Sequence, residues 1–314
     1  MLEEKANIGI SIIGGTGFIG KHLINFLIKK KVQKIRVLTR NQHSTLNNNN
    51  VTLVEGDLSS ESSINQLVKS QDIVINLAYI PNNYQANINA VEILVDSCVK
   101  SGVTRLIHCS TAIVTGRVNN QIINEDTVCK PFNEYEITKL AIEERLLDLT
   151  KGKIELIILR PTAVFGYGGM NLVKTLNSIL YQLKVINYFR IMLNKFRCMH
   201  LVPVEDVVNA IYYLATINKN LSGEKFIISS DDEKNNNYFY IANRVALISN
   251  RPEFKKIFIP FSHLLLKTTL KFLKKSQINP HQLYSNEKLK KYGYKNSINF
   301  ETAVDEFVKS QIKS

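Results

Sequence analysis

IGISIIGGTGFIG, residues 8–20, runs from an apolar, β-branched stretch into glycines and then into a helical pattern. Gly14, Gly17 and Gly20 are spaced to remove three side chains from one tight strand-to-helix turn. Such glycines permit the bend, the close approach of a pyrophosphate, and close packing of helix on strand. Amides at the helix start, with the helix dipole, favour phosphate charge. Two readings stand at this point: a dinucleotide site, or a glycine-rich turn with no ligand.

Outward from that turn, apolar strand patterns alternate with helical ones. Strands are expected at 8–13, 34–39, 51–55, 72–77, 104–110 and 154–159, and helices at 18–31, 60–69, 84–101 and 134–150. Fully apolar strands alternating with helices predict a Rossmann-type α/β fold, a doubly wound parallel sheet covered on both faces. Ligands of such sheets bind beyond the carboxyl ends of the strands. That rule directs attention to residues 14–20, 39–40, 56–58, 76–78, 110–111 and 160–161.

After Phe165 the alternation stops. A loop is expected at 166–169, a helix at 171–183, a strand-like tract at 185–199, a helix at 205–216 and a strand at 225–228. The polar run 231–237 reads as a loop and the remainder as helical, including 261–275 and 302–311. The expected division is a nucleotide-binding domain over 1–165, rejoined at about 201–230, with a smaller interleaved C-terminal lobe for substrate over 166–200 and 231–314.

Composition narrows the function classes. The net charge is +13, but the lysines are scattered and no basic, aromatic-interleaved motif appears, which argues against nucleic acid. No apolar run is long enough to span a bilayer, and the amino terminus does not read as a signal peptide, so a cytoplasmic protein is expected. Segment 261–275 is basic and amphipathic, a pattern open to a membrane-surface helix or to packing within the C-terminal lobe. Cys98, Cys109, Cys129 and Cys198 show no CxxC or metal-type spacing; free thiols and no metal are expected.

Chemistry enters with Tyr135 and Lys139, four apart on an expected helix and therefore on one face. A neighbouring ammonium stabilises phenolate and lowers a tyrosine pKa from about 10, making it a usable proton-transfer group. Taken alone the pair reads equally as a surface tyrosine and a solvated lysine. Ser110 and Thr111, at the preceding strand end, add hydroxyls able to bond the same substrate oxygen.

These motifs together resemble the extended short-chain dehydrogenases/reductases, the NAD(P)-dependent epimerase/dehydratase family. The likeness is carried by GGTGFIG (14–20), GDL (56–58), NLA (76–78), STAIVTG (110–116), YEITK (135–139), RPTAVFG (160–166) and PVEDVVNAI (203–211). The resemblance implies Tyr135 as acid/base, Lys139 as its helper and a ligand of the nicotinamide ribose, and Thr111 as the catalytic hydroxyl. It implies a cofactor cradle of Gly14, Gly17, Phe18, Ile19 and Gly20, with Asp57 and Leu58 bordering the adenine, Ala78 the pyrophosphate and ribose, and Pro161 the nicotinamide. Arg40 stands where NAD-preferring relatives carry an acid and could pair with a 2′-phosphate, so NADP is favoured over NAD.

The reaction is read from what flanks Thr111. Dehydratases of this family place Asp-Glu after the catalytic threonine; Ala112 and Ile113 stand there instead, which argues against dehydration. The favoured reading is 4-keto reduction of a nucleotide-linked sugar in surface-polysaccharide sugar synthesis, with Tyr135 as proton donor. The alternatives are a 4-epimerase with tightly held NAD, a reductase of a non-sugar ketone, and a non-catalytic NADP-binding sensor. Substrate contacts are expected from Ser110, Thr111 and Arg197; Met199 and His200 occupy the place of the family's diphosphate-gripping arginine, and Arg197 reads either as its stand-in or as a structural or surface arginine. His200 itself reads as a packed or hydrogen-bonded histidine. The helices at 84–101 and around Tyr135 are where such enzymes often pair, which implies a homodimer.

Overall fold

The structure, a computed structural model, describes residues 9–40, 48–70, 72–194, 197–255 and 279–312. Contacts divide the chain into two interleaved units. The first holds residues 1–114, 133–160 and 208–226; the second holds 115–132, 161–207 and 227–314. Residues 115–132, read from sequence as part of the nucleotide-binding half, group with the second unit.

The main sheet uses β1 (Ile10–Ile13), β2 (Ile35–Thr39), β3 (Val51–Glu55), β4 (Ile73–Asn76), β5 (Arg105–Cys109), β7 (Glu155–Pro161) and β10 (Glu224–Ile228). Its order is β10-β7-β5-β4-β1-β2-β3, and the pairs from β7 through β3 are parallel. Strand order reverses on either side of β1, which makes its carboxyl end a topological switch point. All four residues of β1 are buried, as a central strand covered on both faces requires. The expected strand at 8–13 begins here at Ile10; Ile8 lies outside the described residues.

Helices α1 (Phe18–Lys29), α2 (Glu61–Leu67), α3 (Tyr84–Ser101) and α4 (Glu134–Thr150) fill the crossovers. Their ends follow local chemistry. Side chains of Ser60, Asn83 and Asn133 accept from first-turn amides of α2, α3 and α4, and Gly102 closes α3 in the left-handed region at φ 70°. One core joins sheet and helices through Ile13, Leu38, Val74, Leu94, Leu106 and Ile142.

The second unit adds two small parallel pairs. β6 (Ile122–Ile123) meets β11 (Leu283–Tyr284), and β8 (Ala163–Phe165) meets β9 (Leu201–Pro203). Its helices are α5 (Val173–Tyr181), α6 (Lys184–Asn194), α8 (Tyr238–Ile248), α9 (Glu287–Lys291) and α10 (Phe300–Ile312), while α7 (Val204–Thr216) begins there and continues into the first unit. Phe165 stacks edge-on against Phe300 and Phe307, with ring centroids 5.9 and 6.1 Å apart, at the heart of this core.

The strand-like reading of 185–199 is corrected: most of that tract is the helix α6. Among its described side chains Asn187 and Ile191, one helical turn apart, are the buried ones, and Asn187 Nδ2 donates to Ser178 O at 3.1 Å. Val185, Ile186 and Phe189 stay exposed, so apolar types that suggested a strand mark no buried face. The basic stretch 261–275 lies outside the described residues. Among the described residues no helix is long and apolar enough to cross a membrane.

Candidate active site

The glycine turn sits where β1 ends. Ile13 pairs with Asn76, so Gly14 comes against the end of β4; a Cβ on Gly14, whose φ is +80°, would meet Ala78 N at 2.9 Å. Gly20 packs still closer: a Cβ there would lie 2.4 Å from Gly14 O and 2.5 Å from Gly15 Cα. These two glycines are explained by the protein's own packing.

Gly17 is not. Its backbone is extended (φ −74°, ψ 178°), and a Cβ would meet only Gly14 O, at 3.3 Å. As N-cap of α1 it offers no side chain to the first-turn amides, and that turn, with Phe18, Ile19 and Gly20, holds no acid. An uncapped helix start with an open approach over Gly17 suits an anionic phosphate, so these residues fit a dinucleotide's pyrophosphate.

Beyond β2 and β3 lie Arg40, which is exposed, Asp57 and the buried Leu58. Asp57 Oδ1 accepts from Ser59 N at 2.9 Å and Ser59 Oγ at 2.6 Å. Those bonds hold the Asp57 carboxyl below the usual carboxylate range, with a smaller contribution from the Arg40 charge. Arg40 and Asp57 therefore sense one another at one corner of the site. At β4, Ala78 N donates to Asn76 Oδ1 at 3.0 Å, which shapes the turn past the strand.

The hydroxyls expected to react, those of Thr111 and Tyr135, lie past β5 and on α4. Lys139 is buried, and its Nζ donates to Cys109 O, the last residue of β5, at 2.9 Å. This bond ties α4 to the strand end that carries Ser110 and Thr111. Burial pulls the Lys139 pKa down, while Glu143, one turn onward, opposes the shift. The Tyr135 ring keeps an exposed edge, but its hydroxyl end lies among buried neighbours. Burial pushes its pKa up to about 12, against a hydrogen bond with Thr111 that pulls the other way. The sequence-level expectation that Lys139 holds Tyr135 low is corrected: desolvation of the phenolate is the largest influence and raises the Tyr135 pKa. Tyr135 is a protonated phenol across the neutral range.

Ser110 adds an orphan. Its hydroxyl is buried and has no hydrogen-bond partner. A buried hydroxyl left unpaired costs free energy that a bound ligand recovers. Two neighbours were missed in sequence. Tyr79, just past Ala78, packs edge-on against Tyr135 with centroids 5.0 Å apart and lies 5.7 Å from Lys139 Nζ. Glu143 forms an ion pair with Arg160, at the end of β7, in which Arg160 Nε and Nη2 reach the carboxylate at 3.0 and 2.5 Å; both side chains are 1% exposed. The i+4 step from Lys139 to Glu143 was a signal for the second; nothing in sequence marked the first.

Pro161 and Arg197 belong to the second unit. Arg197 lines a cavity of about 250 Å³ with Cys198, Met199, His200, Asn194 and Tyr238. None of the four cysteines forms a disulfide, and Cys98 and Cys109 are buried. Cys198 and His200 nevertheless meet Asp231, their ligating atoms all within 4.8 Å of one another.

The profile of the NAD dependent epimerase/dehydratase family matches residues 10–229. The chain belongs to this family. Among curated relatives, the 2-alkyl-3-oxoalkanoate reductase of Stenotrophomonas maltophilia is 26% identical over 53% of this chain and 54% of its own length. The chain spans about half the length of the curated relatives it first matches. Among solved structures, the dTDP-glucose 4,6-dehydratase of Bacillus anthracis, in complex with NAD, superposes with a TM-score of 0.74 at 18% identity, covering 98% of this chain and 97% of that one. The UDP-glucose 4-epimerase of Thermotoga maritima, with UDP-glucose, gives 0.73 at 18% identity, covering 98% and 99%. At such identities these structures establish the epimerase/dehydratase fold, the doubly wound parallel sheet with its smaller lobe.

Proposed function

We propose that this family member is an NAD(P)-dependent oxidoreductase of nucleotide-linked sugars, and that its reaction is reduction of a 4-keto group. The carrying observation is the constellation of Thr111, Tyr135 and Lys139 at the end of β5, with Tyr135 held as a protonated phenol. A protonated phenol beside a second hydroxyl is a proton donor to a carbonyl oxygen. Gly14, Gly17, Gly20 and Ala78 would hold the dinucleotide, whose chemistry when bound would be hydride donation to a carbonyl carbon. Thr111 and the unpaired Ser110 hydroxyl orient the carbonyl oxygen toward Tyr135, and Lys139 keeps α4 and β5 in register.

Two further observations support the reading. Ala112, wholly buried, and Ile113 follow Thr111, so this stretch carries no acid–base pair for eliminating water. Arg40, exposed beside Asp57, supports NADP through its charge for a 2′-phosphate. Reduction of a non-sugar ketone is a second reading, favoured by the likeness to a 2-alkyl-3-oxoalkanoate reductase.

The test pairs turnover with binding. With NADPH and a uridine- or thymidine-diphosphate-linked 4-keto sugar, Tyr135→Phe should lose roughly 10²–10⁴-fold in kcat. Fluorescence titration should show NADPH still bound, and bound more tightly than NADH. Full activity in the variant refutes the proton-donor role. Turnover of a 3-oxoacid but no nucleotide sugar moves the substrate to the second reading.

A further inference from the structure

Outside the dinucleotide site, the second unit gathers three metal-ligating side chains from separate segments. Cys198 and His200 precede β9, and Asp231 follows β10. His200 Nδ1 faces Asp231 Oδ2 at 2.6 Å, and Cys198 Sγ accepts from His200 N at 3.3 Å. The Asp231 side chain is 1% exposed and meets the Cys198 thiol, yet no hydrogen bond of ordinary geometry reaches its Oδ1. A buried carboxylate oxygen without a partner is costly, and a cation is one of the few groups that relieves it.

The frame around these atoms is built. Tyr284 N donates to Asp231 Oδ2 at 2.7 Å, leaving Oδ1 as the oxygen with spare capacity. Asn236 clamps the two segments: its Oδ1 accepts from Leu201 N at 3.1 Å and its Nδ2 donates to Leu201 O and Ser230 O, each at 2.9 Å. His200 is held at φ +55°, a left-handed conformation that a side chain other than glycine's adopts at a cost. That conformation lets Cys198 and His200, only two residues apart, turn toward one point.

We propose that Cys198, His200 and Asp231 form a binding site for a zinc-class divalent cation. One thiolate sulfur, one imidazole nitrogen and one carboxylate oxygen suit a borderline-soft ion with tetrahedral preference. Bond lengths of 2.0–2.3 Å place such ligands about 3.3–3.8 Å apart. Occupancy therefore exchanges the short His200–Asp231 hydrogen bond for two bonds to the ion and draws Cys198 in. Cys198 and His200 also line the cavity of about 250 Å³, which would give a bound ion an entry path and room for water or an anionic fourth ligand.

The experiment uses the full chain, loaded with zinc, freed of excess and assayed for bound metal by elemental mass spectrometry, with affinity from chelator competition. About one zinc per chain is expected. Cys198→Ser and His200→Asn should each weaken binding more than the roughly 10–100-fold typical of outer-shell changes, while Cys129→Ser leaves it unchanged. Asparagine tolerates the left-handed backbone at position 200, which separates ligand loss from misfolding. Cobalt loading of the parent protein gives a readout independent of any variant: a thiolate-to-cobalt charge-transfer band in the near ultraviolet. Absence of stoichiometric zinc, zinc binding indifferent to Cys198→Ser, or a cobalt spectrum without that band overturns the proposal.

Discussion

Replacing Glu143 with leucine tests the support beneath the proposed proton donor. The Glu143–Arg160 pair is bidentate, and each side chain is 1% exposed. Removing one partner of such a pair leaves a desolvated charge without its counter-ion, at a cost of about 3–5 kcal/mol. A domain holds only about 5–15 kcal/mol in total. At ~2 °C per kcal/mol for a chain of this size, the melting temperature should fall by about 6–10 °C. Arg160→Met alone should likewise destabilise, because it leaves the buried Glu143 carboxylate without its counter-ion. In the double variant both charges leave together, and stability should return to within about 1 kcal/mol of the parent, since buried pairs are often neutral against apolar replacements. Urea unfolding of the four proteins followed by circular dichroism gives the cycle, and the coupling energy should exceed 2 kcal/mol, as expected for directly contacting groups. Glu143→Leu within 1 kcal/mol of the parent, or a double variant no better than the worse single one, would refute the reasoning.

Two further outcomes follow from the same geometry. Gly17→Ala has a permitted backbone and one mild contact, so its stability should change by less than about 1 kcal/mol; NADPH affinity should nonetheless drop at least tenfold. Gly20→Ala drives a Cβ into backbone atoms and should cost about 1–3 kcal/mol or more; equal effects of both on thermal unfolding would contradict this division. With the Tyr135 pKa pushed up to about 12, the reductive rate should be level from neutral pH to about pH 10 and fall only toward 12. The same raised pKa stabilises the fold below the unfolded value near 10 and is lost as pH rises from there through 12. A reductive rate that halves near pH 7 through loss of the Tyr135 proton would show that another group governs the phenol.

Much of the first unit was legible because its signals are local. The apolar runs at β1, β4 and β5 and the caps Ser60, Asn83, Asn133 and Gly102 act through residues within a few positions of each other. The second unit was less so. Its helix α6 carries exposed Val185, Ile186 and Phe189, so hydrophobic pattern and burial part company there. Its short pairs β6–β11 and β8–β9 join segments about 160 and 40 residues apart, beyond any local periodicity.

The same line separates what the amino-acid order determined from what tertiary structure decided. Residues 14–20 dictate their own turn, since Gly14 must adopt a positive φ and Gly20 must admit Gly14 O, and Tyr135 and Lys139 share a face through helical geometry alone. Family membership rests on such short-range patterns. The charge state of those residues does not. Whether Tyr135 sits high or low depends on its burial, on Cys109 and Tyr79 beside it and on its hydrogen bond with Thr111, and only the packed chain brings them together. Likewise Cys198 and His200 read as an unremarkable pair until the fold sets Asp231 beside them. Desolvation and Coulomb interaction depend on distances in space, and the chain must fold before it has them.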